Sequence, residues 1–168
     1  MNKIKNNEKG FSLIELLVVV AIIGILAAVG IVAYSGYTAS AKINASKGSH
    51  STIVKFINAE KTKCDTEASK FMGVVNKDGD ILDDKACSDN TGADSASTAA
   101  ATFNAHFEGK KFKNPYDSST MATEDDCTAG DKGCTTIVAD ATDASVLVIT
   151  TVVSDEDSET LKDQISLK

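Results

Sequence analysis

The 168-residue chain is long enough for one ordinary domain, and its 42% apolar and 24% charged residues exclude wholesale disorder. The net charge of −7 is unevenly spread: +2 over residues 1–10, −1 over 11–34, +4 over 35–64 and −12 over 65–168, with Lys supplying all 17 cations. The acidic body argues against binding a phosphate backbone there, and a chain without Arg has no bidentate arginine contact to offer guanine.

The first element in chain order is a run of nineteen uncharged residues from Leu16 to Tyr34. At about 1.5 Å per residue such a run nearly spans a hydrocarbon core as a helix. Lys3, Lys5 and Lys9 precede it, so the positive-inside tendency places the N-terminus in the cytoplasm and the body outside. A secretory signal cut after Ala39-Ser40-Ala41 is the alternative. Against it, the run exceeds the roughly 7–15 apolar residues of such signals, and Tyr34, Gly36 and Tyr37 approach the cleavage site poorly. Glu15 stands at the head of the apolar run. A carboxylate costs about 2.5–3.5 kcal/mol at a membrane helix centre and less near an end. A plain anchor gains nothing from it, so it calls for a partner. Phe11, four residues earlier, shares its helix face.

Gly10-Phe11-Ser12-Leu13-Ile14-Glu15-Leu16-Leu17, followed by VVVAIIGILAAVGI, resembles the N-terminus of a type IV pilin or pseudopilin. The resemblance is close over about the first 45 residues and only general beyond. It implies a leader at residues 1–10, cleaved after Gly10 by a prepilin peptidase that also methylates the new N-terminus at Phe11. Loss of the +2 leader takes the net charge from −7 to −9. It further implies that Glu15 meets the N-terminal amine of a neighbouring subunit; two desolvated opposite charges set register even where they add little stability. One departure is Val32, which stands where the family often has a helix-loosening Pro. The only Pro is Pro115, leaving Gly24 and Gly30 as weak points where local melting in a filament is expected, or as close-packing positions between helices.

Tyr34 and Tyr37 fall where aromatic rings favour a membrane interface. Beyond them Ala41, Ile43, Ala45, Ile53, Val54, Phe56, Ile57 and Ala59 recur at three-to-four spacing, and Lys42, Lys47, Lys55, Lys61 and Lys63 take other positions. This predicts an amphipathic continuation of the helix to about Cys64, with Gly48-Ser49 as a soft spot. The basic stripe is either a solvated face or a surface that meets acidic heads of neighbouring subunits. From Asp65 to Ala100 the composition suggests a long loop with an apolar island at Phe71–Val75; residues 95–101 could start a short helix. Strands are expected at Thr102–Phe107, Thr135–Ala139 and Ser145–Val153, with a last one through Leu161, Ile165 and Leu167. Asp140–Asp143 and Asp155–Asp157 read as turns, and Asn114-Pro115-Tyr116-Asp117 as a turn that pins a loop to the head.

The four cysteines lie beyond the apolar run, and placement outside the cytoplasm favours disulfides. Cys64–Cys87 and Cys127–Cys134 are the preferred pairs, because each closes one loop region without crossing the sheet. A zinc site is disfavoured by the absence of any C-x₂₋₄-C pair. Residues Asn76–Asp84 are rich in Asp, but counting from Asn76 the EF-hand Gly and Glu positions hold Ile81 and Cys87. An Asp-Gly turn is therefore preferred to a calcium loop. His50, on the helix, and His106, in a strand candidate, read as surface or packing residues, and no catalytic motif accompanies them.

The expected fold is α+β, a long N-terminal helix packed on a small antiparallel sheet. The expected segments are leader 1–10, membrane and filament-core helix 11–34, amphipathic helix 35–64 and globular head 65–168. The resemblance implies a structural, non-enzymatic subunit without a resident cofactor, calcium being the minor alternative. It would be the major subunit of a type IV pilus used in adhesion, twitching motility and DNA uptake. Its partners would be identical subunits, the prepilin peptidase and the inner-membrane assembly machinery, with no nucleic acid bound by the head itself. The precursor would sit in the inner membrane and the assembled filament outside the cell. A secretion pseudopilin, a minor pilin and a plainly anchored binding module are the competing readings.

Overall fold

The computed structural model describes residues 10–66, 95–110, 112–123, 131–154 and 159–167. Helix α1 runs unbroken from Leu13 to Asp65, 53 residues, and helix α2 covers Ser95–Gly109. Strands β1 (Thr135–Ala139), β2 (Val146–Val152) and β3 (Thr160–Ser166) form an antiparallel sheet in the order β1-β2-β3. The expected α+β plan is thus present, and packing divides the chain into two compact units, Met1–Ser40 and Ala41–Lys168.

A helix as long as α1 is abnormal for a globular domain, and its two halves meet different surroundings. Up to Tyr37 the large apolar side chains are exposed, from Phe11 at 87% to Val19 at 49%. In the second unit one stripe is buried: Ser46, His50, Ile53, Ile57 and Glu60, spaced by three and four. Ile53 and Ile57 are fully buried and Val54 and Phe56 partly so, as the apolar spacing predicts. Ala41, Ala45 and Ala59 are instead exposed, and polar Ser46, His50 and Glu60 take inward positions. The helix passes through Gly48-Ser49 without a break.

The strand expected at Thr102–Phe107 is not formed; those residues belong to α2. Ala96, Ala99, Ala100, Phe103 and Phe107 are buried at helical spacing, which outweighs the strand preference of isolated Thr and Phe residues. The three alanines keep this face shallow, and the two phenylalanines fill the space among Ile53 and Ile57 of α1 and Ile137, Leu147, Ile149 and Ile165 of the sheet. Phe56 meets Phe103 and Phe107 edge-on, with ring centroids 6.2 and 5.5 Å apart. Asn104 on α2 donates its side-chain amide to the Ile137 carbonyl at 3.3 Å.

The other three strand expectations hold to within a residue or two. The β1–β2 turn is held by Asp140, whose carboxylate accepts from the Thr142 hydroxyl and amide and from the Asp143 amide. These bonds to Thr142, led by its hydroxyl, keep the Asp140 carboxyl below the usual range. Tyr116, in the predicted Asn-Pro-Tyr-Asp turn, donates its hydroxyl to the Val153 carbonyl at 2.7 Å and so ties that loop to the end of β2. The apolar island Phe71–Val75, the Asp-rich Asn76–Asp84 and the turn Asp155–Asp157 lie outside the described residues.

Gly133, just before β1, has φ +74°, and a Cβ there would lie 2.2 Å from Asn114 Oδ1. That oxygen accepts from the Tyr116 amide, while the Asn114 side-chain amide donates to the Lys132 carbonyl. Gly133→Ala therefore meets a clash as well as an unfavourable φ. It is expected to cost more than the roughly 1–3 kcal/mol of backbone strain alone, read as a lower denaturation midpoint than that of Gly48→Ala, where a Cβ meets nothing within 4 Å.

Candidate functional site

Gly10, Phe11 and Ser12 precede the first helical residue, Leu13. Ser12 and Glu15 form a reciprocal cap: the Ser12 amide donates to Glu15 Oε2 at 2.8 Å, and the Glu15 amide donates to Ser12 Oγ at 3.2 Å. This is a capping box, which satisfies backbone donors that a helix start otherwise leaves open. The Ser-x-x-Glu signal is present in the sequence but is overshadowed by the charge of Glu15. The carboxylate thereby serves its own helix and is held one residue from Phe11. Phe11 itself stands out at 87% exposure.

Behind this cap, α1 is the one helix among the described residues long and apolar enough to cross a membrane, and none of its most apolar window is buried within the chain. Gly24 and Gly30 lie on an unbroken helix, with open space where a Cβ would stand. Their small size leaves room for close approach by another helix.

Four of the five lysines of the basic stripe make contacts within the chain while remaining partly or fully exposed. Lys47 pairs with Glu159 at 2.8 Å, Lys61 with Asp65 at 3.2 Å and Lys63 with Glu60. Lys42 lies 5.5 Å from the centre of the Tyr116 ring. Lys55 remains exposed.

Both histidines are buried, His50 and His106 each at 4% exposure. His50 Nδ1 lies 2.8 Å from Thr151 Oγ1 on β2, and Nε2 lies 2.7 Å from Asp163 Oδ2 on β3. Thr151 Oγ1 is in turn 2.6 Å from Thr135 Oγ1 on β1. One imidazole thus fastens α1 to all three strands. A hydroxyl, an imidazole and a carboxylate in sequence imitate a nucleophilic triad, but Thr151 is fully buried and cannot meet a substrate. The arrangement is a clamp. His106, on α2 rather than on a strand, stacks on Phe56 with ring centroids 4.3 Å apart and 13° between planes.

Neither Cys64 nor Cys134 is a free thiol. Cys87 and Cys127 lie outside the described residues. Among the described residues no group of three or more His, Cys, Asp or Glu side chains is arranged to hold a metal.

A capped helix with an exposed apolar first half, long and apolar enough to cross a membrane, fits a membrane-anchored precursor. The description "prokaryotic N-terminal methylation motif" matches the chain at residues 5–31, the segment that includes Gly10, Phe11 and Glu15. The chain carries the prepilin signature of type IV pilins and pseudopilins. No solved structure matches it. The motif implies processing by a prepilin peptidase and fits a membrane-anchored precursor.

Proposed function

We propose that this chain is the precursor of the major subunit of a type IV pilus. The observation that carries the reading is the coincidence of the methylation motif with a helix whose apolar first half is exposed along its length. Uncovered side chains of that kind need lipid before assembly and sister helices after it. Cleavage after Gly10 and methylation of Phe11 release a subunit that waits in the inner membrane, its N-terminus toward the cytoplasm. Glu15 then pairs with the Phe11 amine of a neighbour, and the acidic heads form the outer surface of an extracellular filament. The filament serves adhesion, twitching motility and DNA uptake, with DNA held by something other than these heads. Local melting at Gly24–Gly30 stands in for the absent Pro. Cys64–Cys87 and Cys127–Cys134 brace the head, which needs no cofactor. Four cysteines favour a pilus subunit over a secretion pseudopilin, for which the resemblance implies calcium dependence.

Mass spectrometry of surface filaments seen by electron microscopy tests this. The expected subunit begins at a methylated Phe11, and non-reducing peptide mapping returns the two cysteine pairs. Filaments whose subunit begins at Met1, or downstream of Ala39, would overturn the processing. Absence of filaments combined with strong calcium dependence of head stability would favour the secretion reading.

A further inference from the structure

Helix α1 passes through the head without a break, so nothing in its backbone marks the level at which the sheet meets it. We propose that His50 fixes that level: its bonds to the sheet choose the register of α1 on the head, and without them α1 takes a second register three residues away.

The apolar pattern does not make this choice by itself. Ser46, His50, Ile53, Ile57 and Glu60 are the buried residues of α1, and of these five only the two isoleucines are apolar. If each place is taken by the residue three earlier, the five become Ile43, Lys47, His50, Val54 and Ile57, of which three are apolar. The shift amounts to about 4.5 Å along the helix axis, and residues three apart lie on nearly the same face. On apolar content alone the two registers compete.

The imidazole separates them. In the native register Nδ1 lies 2.8 Å from Thr151 Oγ1 on β2, and Nε2 lies 2.7 Å from Asp163 Oδ2 on β3. In the shifted register His50 takes the place of Ile53, among apolar side chains that include Ile137, Leu147 and Ile149. Its ring nitrogens exchange two bonds for hydrocarbon. Lys47, paired with Glu159 in the native register, moves opposite Asp163, so the shift exchanges one carboxylate for another there.

His50→Leu removes this obstacle. In the shifted register the leucine fills the place of Ile53 and Val54 that of Ile57, making four apolar residues of the five. The groups left behind in the native register are not orphaned. Thr151 Oγ1 keeps its contact with Thr135 Oγ1 at 2.6 Å, and the Asp163 side chain, 53% exposed, returns to water. The substitution therefore alters register with little effect on stability. Two other ties act on α1: Phe56 packs against Phe103 and Phe107 of α2, and Cys64 is not a free thiol. Ring contacts accept several geometries, whereas the bonds of His50 are directional.

For a filament the consequence, which rests on the pilus reading, is uniformity. Glu15 sets helix against helix and His50 sets helix against head, so that every head sits at the same residues of its own helix.

The test uses the full chain in detergent micelles with its cysteine bonds intact, and is decided whether or not filaments form. Methyl NMR of the wild type is expected to show one set of signals for Ile53, Val54 and Ile57, with Ile57 in the core among the sheet isoleucines. His50→Leu is expected to add a second set, about a tenth of the total or more, in which Val54 takes the contacts of Ile57. Its unfolding equilibrium should stay within about tenfold of the wild type. His50→Gln, whose amide supplies both a donor and an acceptor, should return to one set. A single set with native contacts in His50→Leu would overturn the proposal and assign the register to Phe56 and Cys64. A His50→Leu chain that fails to fold would overturn it too, since the imidazole would then be a source of stability rather than of register. So would a second set in His50→Gln as large as that in His50→Leu.

Discussion

Glu15→Gln is expected to give a cleaved, membrane-inserted subunit that makes no filaments. The choice of Gln follows from the helix start. Glu15 occupies the third helical position of a capping box with Ser12, and Gln fills that position about as well, because its carbonyl oxygen can accept the Ser12 amide. The variant therefore keeps the cap and the side-chain volume and removes only the charge. If Glu15 acts as counter-ion to a neighbour's N-terminal amine, Gln leaves that amine unpaired in an apolar filament core. Breaking one side of a buried pair costs about 3–5 kcal/mol per subunit, repeated at every addition to a polymer. If Glu15 acts only as a cap, Gln is silent. Ser12→Ala is the converse variant. It breaks one arm of the box for about 1 kcal/mol, keeps the carboxylate, and should still yield filaments. Counting filaments by electron microscopy, beside immunoblots for cleaved subunit, separates the two roles. Wild-type filament numbers from Glu15→Gln would assign the residue to capping.

The helix start also shows what the sequence makes legible. Gly10, Phe11, Glu15 and the apolar run stand within 25 consecutive residues, and their meaning is local: a charge where charge is costly, behind a basic leader. The end of α1 and the three strands of the head are equally readable, because period and β-branching survive in short windows. The buried stripe of α1 was not. Three of its five members are polar, and the pairing that buries His50 joins residues 101 and 113 positions apart. Apolar periodicity has no means of placing a histidine whose partners lie on two distant strands. The α2 error has a different cause. Thr102, Phe103 and Phe107 carry strand preference one by one, but alanines at 96, 99 and 100 continue a helical face toward both phenylalanines. Alanine is too weakly apolar to advertise a core, and here its smallness is what lets the helix approach the sheet. The basic stripe is visible as a pattern, yet the contacts of Lys47 with Glu159 and of Lys42 with the Tyr116 ring depend on the folded head.

Phe103→Ala is expected to be the most damaging single truncation in the head. Phe103 is 1% exposed and lies in the core shared by α1, α2 and the three strands. Removing a buried Phe ring costs about 3–5 kcal/mol, the lost transfer energy plus that of the cavity left behind. Domains of this size have about 5–15 kcal/mol in all, so about a fifth or more of the stability is at stake. The surrounding groups limit relaxation. Ile53 and Ile57 are held on a continuous helix, and Ile137 and Ile149 on strands paired in register. The edge contact with Phe56 is lost as well. Val138→Ala provides the contrast, since that side chain is 49% exposed on β1 and its loss should stay below about 1 kcal/mol. With no Trp in the chain, denaturant-dependent hydrogen exchange of α2 and β2 is the suitable readout. Both elements should lose protection together in Phe103→Ala, because one core holds them. A loss confined to α2 would mean that the sheet and α1 form the stable unit and that α2 is a lighter addition to it.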